Sequence, residues 1–392
     1  MELTATVVGG GIAGLASAIS LAQAGWRTTV LERSGELGEV GAGVAMSRNA
    51  VAAFRGLGFG DDDVARLGPE TWAGGTWDLR GREILRIPDD PRVRRAVTLR
   101  GVHRRRLHAA LQEKALAAGV ELVASTRVTA VAQGVPGGAP AVVEAGAARW
   151  ESDLVVGADG VRSAVRAVLF PHSRPVYSGY SSWRAVVPRP AADAFLTQYW
   201  GPHAEFGVMP TGEAETYWYG YVRLPERADL GDELAAARDS FAGWADPVRE
   251  LVRATPPAAL MRHDVHYLPG GLPRYATGRV VMVGDAAHAT LPTMGQGAAT
   301  ALEDGVCVGR LVGAPVAAGG DLFATLSAFD AARRPRCRAI ARASVRSGRF
   351  GAHLGPRWQG LRNGLMRLTP AGALARGADA VMGWTPPEAA AP

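Results

Sequence analysis

The stretch "LTATVVGGGIAGLASAISLAQAGWRTTVLER", residues 3–33, decides the fold. Leu3 to Val8 is an apolar, β-branched run. Gly9, Gly10 and Gly11 break it, and Leu15, Ala18, Ile19 and Ala22 then recur at helical spacing up to Gly25. A second β-rich run, "RTTVLER", follows at once, so the segment reads as one βαβ unit with a right-handed crossover. Gly9, Gly11 and Gly14 match G-x-G-x-x-G between strand and helix, and Glu32 stands 18 residues beyond Gly14 at the end of the second strand. Each spacing has a mechanical reason. Gly9 permits the tight turn, Gly11 lets backbone approach a pyrophosphate, and Gly14 lets helix and strand pack closely, while the helix start offers unpaired N–H groups to the anion. An acid at Glu32 favours a ribose diol over a 2′-phosphate. The segment is expected to bind a dinucleotide, with Ala13 inside the fingerprint and Arg33 beside the acid as further cofactor contacts.

Two later stretches share this grammar. "DLVVGADGVRSAVR", residues 153–166, puts Asp159-Gly160 at the end of a buried strand and Arg162 and Arg166 about one turn apart beyond it, where they could face phosphate. "VVMVGDAAHATLPTMGQGAATALED", residues 280–304, opens as a buried strand, turns on Gly284-Asp285 and resumes as a helix. A strand-to-helix connection needs roughly two to six residues. This one adds Pro292, Gly295 and Gly297 before a helix with Ala301, Gly305, Val308 and Val312 on one stripe, which points to a ligand. A buried carboxylate at Asp285 needs donors, and sugar hydroxyls supply them; the plainer alternative is a helix N-cap. A lone His288 among alanines reads as hydrogen-bonded scaffold, and Cys307 as packing.

The 392 residues suffice for two domains or one large α/β unit with an inserted sheet, and 47% hydrophobic residues furnish a core. The first 25 residues are apolar, but they begin with Glu2 and are interrupted by Gly9 to Gly11, so they read as a fold element and not a signal peptide. No other apolar run is long enough to predict a membrane span. Cys307 and Cys337 have no metal-ligand spacing and fit a reduced interior, which makes the cytoplasm the expected location. The net charge of +6 comes from arginine, Lys114 being the only lysine. Such a balance favours anionic ligands. Arg104, Arg105 and Arg106 lack the aromatic pattern of a nucleic-acid module and read as a solvated helix start.

Between 172 and 269 the texture changes to short, aromatic, β-branched runs such as "YSGYSSWRAVVP", "EFGVMP" and "ETYWYGYVRLP". Residues 71–97 read as a hairpin joining the same sheet. The expected fold is therefore α/β: a discontinuous Rossmann-like nucleotide domain (1–70, 98–171 and 270–340), an inserted, predominantly antiparallel sheet domain (71–97 and 172–269), and a C-terminal helical segment with a loose tail (341–392). Arg333, Arg334, Arg336 and Arg338 read as a solvated helix face. In the inserted sheet, alternation sets Tyr217, Tyr219 and Tyr221 against Trp218 and Val222, and Phe206 and Val208 against Gly207 and Met209. Sequence does not choose between the faces. Phe206, Met209, Trp218 and Tyr219 are candidate pocket residues, with Arg184 as a candidate anion contact.

Taken together, the fingerprint, the Asp159-Gly160 stretch and the "GDAAH…P…GQG" stretch resemble the FAD-dependent aromatic hydroxylases, single-component monooxygenases similar to p-hydroxybenzoate and salicylate hydroxylases. The resemblance spans residues 7–304. It implies that Glu32 binds the adenosine ribose, Asp285 the ribityl hydroxyls of FAD, and Asp159 the pyrophosphate region where NAD(P)H also passes. It further implies a flavin-side contact at Arg104, through Arg-x-x-Leu with Leu107, and a backbone contact to adenine at Val128 in a strand. Pro292, Gly295, Gly297 and Ala298 would border the isoalloxazine, with the helix start facing the negative charge of the reduced ring. "GEVGAGVAMSRNAV", residues 38–51, also resembles the family, although Arg48 stands where proline is common. The implied reaction uses NADPH or NADH and O₂ to hydroxylate a small or polycyclic aromatic substrate through a flavin C4a-hydroperoxide, a setting that includes secondary metabolism. It requires no catalytic side chain and no metal, because the cofactor carries the difficult step. Epoxidation or oxidation of an isoprenoid, indole or purine by the same chemistry stays open. So do a flavin halogenase, whose W-x-W-x-I-P signature is missing here, an NAD-dependent dehydrogenase and a non-catalytic flavin-binding protein.

Overall fold

The fingerprint segment folds into a Thr4–Val8 strand, an Ile12–Gln23 helix and an Arg27–Leu31 strand, with the two strands parallel. A computed structural model describes residues 2–35, 38 and 42–388. Glu39, Val40 and Gly41 of the "GEVGAGV" stretch, and the tail beyond Glu388, lie outside the described residues. Around the first strand the sheet grows to six strands, in the order Ala276–Thr277, Val280–Met282, Leu154–Gly157, Thr4–Val8, Arg27–Leu31 and Glu121–Val123. All neighbours are parallel except the Ala276–Thr277 edge. Gly9 holds a φ of +106°, and a Cβ there would lie 2.5 Å from the Ala158 carbonyl oxygen; one on Gly14 would lie 1.9 Å from that of Gly9. Only glycine fits either position.

The second sheet has nine strands and runs Met261–Tyr267, Val176–Val187, Glu215–Arg223, Ala204–Gly212, Leu196–Gly201, Glu70–Asp78, Thr98–His103 and Gly43–Ser47, with Glu83–Arg86 paired onto Glu70–Asp78. Its pairs are antiparallel except Leu196–Gly201 against Glu70–Asp78. Trp183, Phe206, Trp218 and Val222 share one face, and the helices Glu233–Ser240 and Asp246–Ala254 cover it with Leu234, Phe241, Trp244 and Leu251. Phe206 stacks on Trp218 at 5.0 Å, and the Trp218 indole donates to Thr255 Oγ1 at 2.9 Å. Phe206 and Trp218 are therefore core residues and not pocket residues. A buried indole needs an acceptor, and Thr255 on the covering element provides it.

Val128 also departs from expectation, since it lies between the strands Glu121–Val123 and Ala130–Ala132. The chain is changing partners there: Thr126 N–H bonds to Glu32 O in one sheet, and Thr129 N–H to Glu144 O in a separate three-stranded sheet.

The helix Leu322–Phe350 runs through residue 341 without a break. Arg333, Arg334, Arg336 and Arg338 are not a solvated face. Arg333 is 1% exposed, and its Nε donates to Asp304 Oδ1 at 2.7 Å while Nη2 lies 2.8 Å from Glu303 Oε2. Arg336 reaches Glu303 at 2.6 Å, Arg334 pairs with Asp330, and Arg338 donates to the carbonyls of Gly270 and Leu272. The other Asp304 oxygen accepts from Gly284 N at 2.8 Å and His288 Nε2 at 2.6 Å. Burial raises the Asp304 pKa on its own, but His288 and Arg333 outweigh it and hold the carboxyl down at about 2. Burial opposes charge on His288, yet Cys337 and Asp304 raise its pKa well above the ordinary histidine range. Among the described residues, no helix is long and apolar enough to cross a membrane.

Removing one partner of a buried ion pair costs about 3–5 kcal/mol, because the remaining charges stay buried and unpaired. Asp304→Asn is expected to lower stability by about that amount, read in chemical or thermal unfolding. Asp61→Asn, which breaks the exposed Arg55–Asp61 pair, should leave the unfolding midpoint unchanged within error. The Asp304 contribution should be intact at neutral pH and fall away as the pH drops below 4 towards the folded-state value of about 2.

Candidate active site

A cleft of about 920 Å³ is lined by residues of both large sheets. At one end stand Gly9, Gly11, Ala13, Glu32, Arg33, Thr126, Val128, Asp159 and Arg162; at the other, Arg184, Leu196, Gln198, Met209, Tyr217, Tyr219 and His263. Arg104, Asp285, Pro292, Gly295, Gly297 and Ala298 line it as well. The structure thus brings every sequence-derived cofactor candidate except Gly14 and Arg166 to one cleft, while Gly14 packs behind the fingerprint turn.

At the fingerprint end, no side chain caps the Ile12–Gln23 helix, and a Cβ on its N-cap Gly11 would meet nothing within 4 Å. Its first N–H groups are open to an anion. The Glu32 carboxylate accepts from Gly10 N at 2.8 Å and Ser34 N at 2.9 Å, which fixes it at the cleft edge with lone pairs to spare. His108 props the same turn from below, Nε2 lying 2.8 Å from Gly10 O. Sequence reading missed His108; a histidine on the apolar stripe of its helix, one turn after Arg104, was the available signal.

Asp159 accepts from Ala164 N at 2.6 Å and Val165 N at 3.1 Å through one oxygen. Its other oxygen is sealed from solvent without a protein partner. Burial pushes the carboxyl up, against the hydrogen bonds from Ser163 and those backbone groups. Arg162 is exposed at the cleft, but Arg166 is buried and does not face it. Arg166 donates to the carbonyls of Ala286 at 3.0 Å and Asp285 at 3.4 Å, and so ties the Asp159 turn to the Asp285 turn.

Asp285 is the first residue of a short helix, Asp285–His288, and Gly284 is its N-cap with a φ of +57°. The Asp285 side chain is exposed to the cleft and neither buried nor capping. Gly284 is pinned by Asp304, as described above. Pro292–Met294 form a single 3₁₀ turn, Gly295 turns with a φ of +61°, and the Gly297–Cys307 helix starts without a side-chain cap. The Gln296 side chain instead bonds to Asn49, whose Nδ2 also donates to Glu303 at 2.6 Å. A second uncapped helix start therefore faces the cleft, carried on the Asp304–Arg333–Glu303 network.

These features fit FAD: two uncapped helix starts, an open glycine backbone, an edge carboxylate and an orphaned buried oxygen line one elongated cleft.

Strand register assembles the opposite wall. Gln198 opposes Gly207, Gly207 opposes Tyr219, and Tyr219 opposes Arg184. Gln198 Nε2 donates to Tyr219 Oη at 2.8 Å, and a Cβ on Gly207 would lie 2.1 Å from the Tyr219 ring, so the missing side chain makes room for the phenol. Leu196, Met209 and Tyr217 form an apolar row beside it. Behind Tyr219 lies Glu205, buried, whose carboxyl burial pushes up to about 7 against the hydrogen bond from Tyr219. Burial, with Arg184 and Arg104 nearby, holds His263 below its usual range, so it is neutral at pH 7. Gln198, Glu205 and His263 carry no sequence signal of their own; register alone brings them in.

Comparison with known proteins places this arrangement in a family. The FAD binding domain family matches residues 2–344. The aurachin C monooxygenase/isomerase of Stigmatella aurantiaca is 37% identical over 354 residues, covering 89% of this chain and 90% of that protein. The 2-heptyl-3-hydroxy-4(1H)-quinolone synthase of Pseudomonas aeruginosa is 31% identical over 381 residues, covering 94% of each. Among solved structures, Klebsiella pneumoniae HpxO complexed with FAD and uric acid superposes with a TM-score of 0.82 at 26% identity, covering 97% of this chain and 96% of that one. The chain belongs to the FAD-dependent aromatic hydroxylases and monooxygenases and is an enzyme of that class.

Proposed function

We propose that this FAD-dependent monooxygenase oxygenates a bicyclic heteroaromatic substrate that carries a ring oxo or hydroxyl group, of the 4-quinolone type, within secondary metabolism in the cytoplasm. The observation that carries the reading is the wall facing the nucleotide end: one polar row of Gln198, Tyr219 and Arg184, flanked by apolar Leu196, Met209 and Tyr217. A flat apolar ring system suits the second row. A polarised ring oxygen suits the first, where Tyr219 is fixed by Gln198 and the Arg184 guanidinium favours negative charge on that oxygen. The name of the Pseudomonas aeruginosa relative, a 2-heptyl-3-hydroxy-4(1H)-quinolone synthase, supports the same substrate class.

Bound FAD, reduced by NADPH or NADH, supplies the activation of O₂ and the transfer of one oxygen atom to the ring, the other leaving as water. The chain's residues bind and orient. Gly9, Gly11 and Ala13 present the first helix start to the pyrophosphate, Glu32 takes the ribose diol, and Arg33 and Val128 border the adenine end. Asp159 borders the pyrophosphate region, Arg104 stands on the flavin side, and Asp285 holds the ribityl hydroxyls. Pro292, Gly295, Gly297 and Ala298 bring the second helix start to the pyrimidine edge of the ring, where its positive end stabilises negative charge. Neutral His263 and the tyrosines exclude water from the reacting face.

The purified, FAD-loaded protein should consume NAD(P)H and O₂ faster with 4-quinolones than with salicylate, and give a product heavier by one oxygen atom. No stimulation by any quinolone, with salicylate active, removes the substrate reading. Asp285→Ala should bind FAD about tenfold or more weakly, as expected for losing hydrogen bonds worth about 1–3 kcal/mol; equilibrium dialysis against free FAD measures it. Glu205, with a folded-state value of about 7 and an ordinary value of 4.5, gives up stability as the pH rises through 7. Glu205→Gln should therefore match the parent near pH 4 and gain on it above pH 8, by about 3 kcal/mol at most, read from denaturant midpoints at the two pH values.

A further inference from the structure

The helix Gln359–Arg367 has an outward face that no described residue covers. Trp358, Leu361, Leu365 and Leu368 are 61%, 59%, 54% and 79% exposed, and their spacing of three, four and three residues sets them on one side of the helix. Scattered single apolar residues are ordinary on a surface, but four in one stripe are not. The helix is not loose. Its inner side is anchored by buried Met366 and Arg362, whose guanidinium lies 4.9 Å from the Trp200 ring and donates to the carbonyls of Phe350 and Gly351 at 3.3 Å. The stripe therefore stays outward.

Charge identifies what covers it. From residue 331 to 378 the sequence holds eleven arginines and no aspartate or glutamate. Of these, Arg357 and Arg367 are exposed and adjoin Trp358 and Leu368 in sequence, and Arg349 and Arg376 are exposed on the preceding and following helices. We propose that this face docks on an anionic lipid surface, with Trp358, Leu361, Leu365 and Leu368 entering the headgroup–acyl boundary and the arginines pairing with phosphate oxygens. The nine-residue helix lies in the interface and does not span it. Arginine stems extend along apolar surface while their heads reach phosphate, so the two chemistries serve one plane. A second copy of the chain fits less well: an isologous contact would set these arginines against their own equivalents, with no acid in the segment to relieve them. The next helix, Ala371–Met382, ends at Met382 on the cleft wall, so the docking face and the active site share one C-terminal segment. The inference rests on this surface and not on the substrate reading above.

The test uses the full-length, FAD-loaded protein with phosphatidylcholine vesicles and with phosphatidylcholine–phosphatidylglycerol vesicles. Sedimentation should show binding to the anionic vesicles only. The double variant Leu361→Gln/Leu365→Gln should weaken it about tenfold or more, and added salt should weaken it further. Retained flavin absorbance shows that the variant is folded. In parallel, brominated lipid should quench tryptophan emission of the parent protein, and Trp358→Phe should abolish that quenching. Failure to bind anionic vesicles, binding unaffected by the double variant, or emission insensitive to brominated lipid would each overturn the proposal. So would light scattering that shows a dimer dissolved by the double variant, which would assign the stripe to self-association.

Discussion

The Asp304 carboxylate is the constraint on which the rest of this structure depends. It is fully buried, and a buried charge persists only where donors surround it. Its donors come from three places: the Gly284 backbone at the end of a parallel strand, the His288 ring one helical turn later, and the Arg333 guanidinium on the long C-terminal helix. One side chain thereby locks the turn that carries Asp285. Glu303, its neighbour in sequence, extends the lock through Asn49 to Gln296, the residue from which the next helix begins. The two backbone features proposed to meet the flavin are thus held by a single ionic cluster that never touches the cleft.

The opposite wall depends on a different device. An antiparallel strand shows alternate residues to each face, and here one face is claimed by helices and the other by the cleft. Phe206 and Trp218 go to the helices because those helices supply Phe241, Trp244 and an acceptor for the indole. Met209, Tyr217 and Tyr219 are left for the cleft. Gly207 completes the arrangement by leaving space for the Tyr219 ring, which in turn covers the buried Glu205.

What was legible in the sequence follows from the range of the forces involved. The fingerprint, the Gly284–Asp285 turn and the glycine-opened helix are local, so spacing reveals them. The choice of sheet face is not local: Tyr219 and Trp218 alternate symmetrically, and only packing by the segment 233–254 breaks the symmetry. Arg333 and Arg166 were misread for a related reason. Arginine is mostly exposed, and the partners that bury these two are 29 and more than 100 residues away in sequence. Asp285 was misread in the opposite sense, since a residue next to a buried strand looks buried until the cleft beyond it is known. The strand expected at Val128 is absent because a segment that changes sheets keeps strand composition without a strand's ladder.

The central claim is that the Asp304 cluster shapes the flavin wall from behind. The most direct measurement is the dissociation constant of FAD from the Asp304→Asn apoprotein at a temperature where circular dichroism shows it folded. FAD is expected to bind clearly more weakly than to the parent protein, although Asp304 itself lies outside the cleft lining. An unchanged dissociation constant in the folded variant would contradict it, because the Asp285 turn and the Gly297 helix start would then hold their places without the carboxylate.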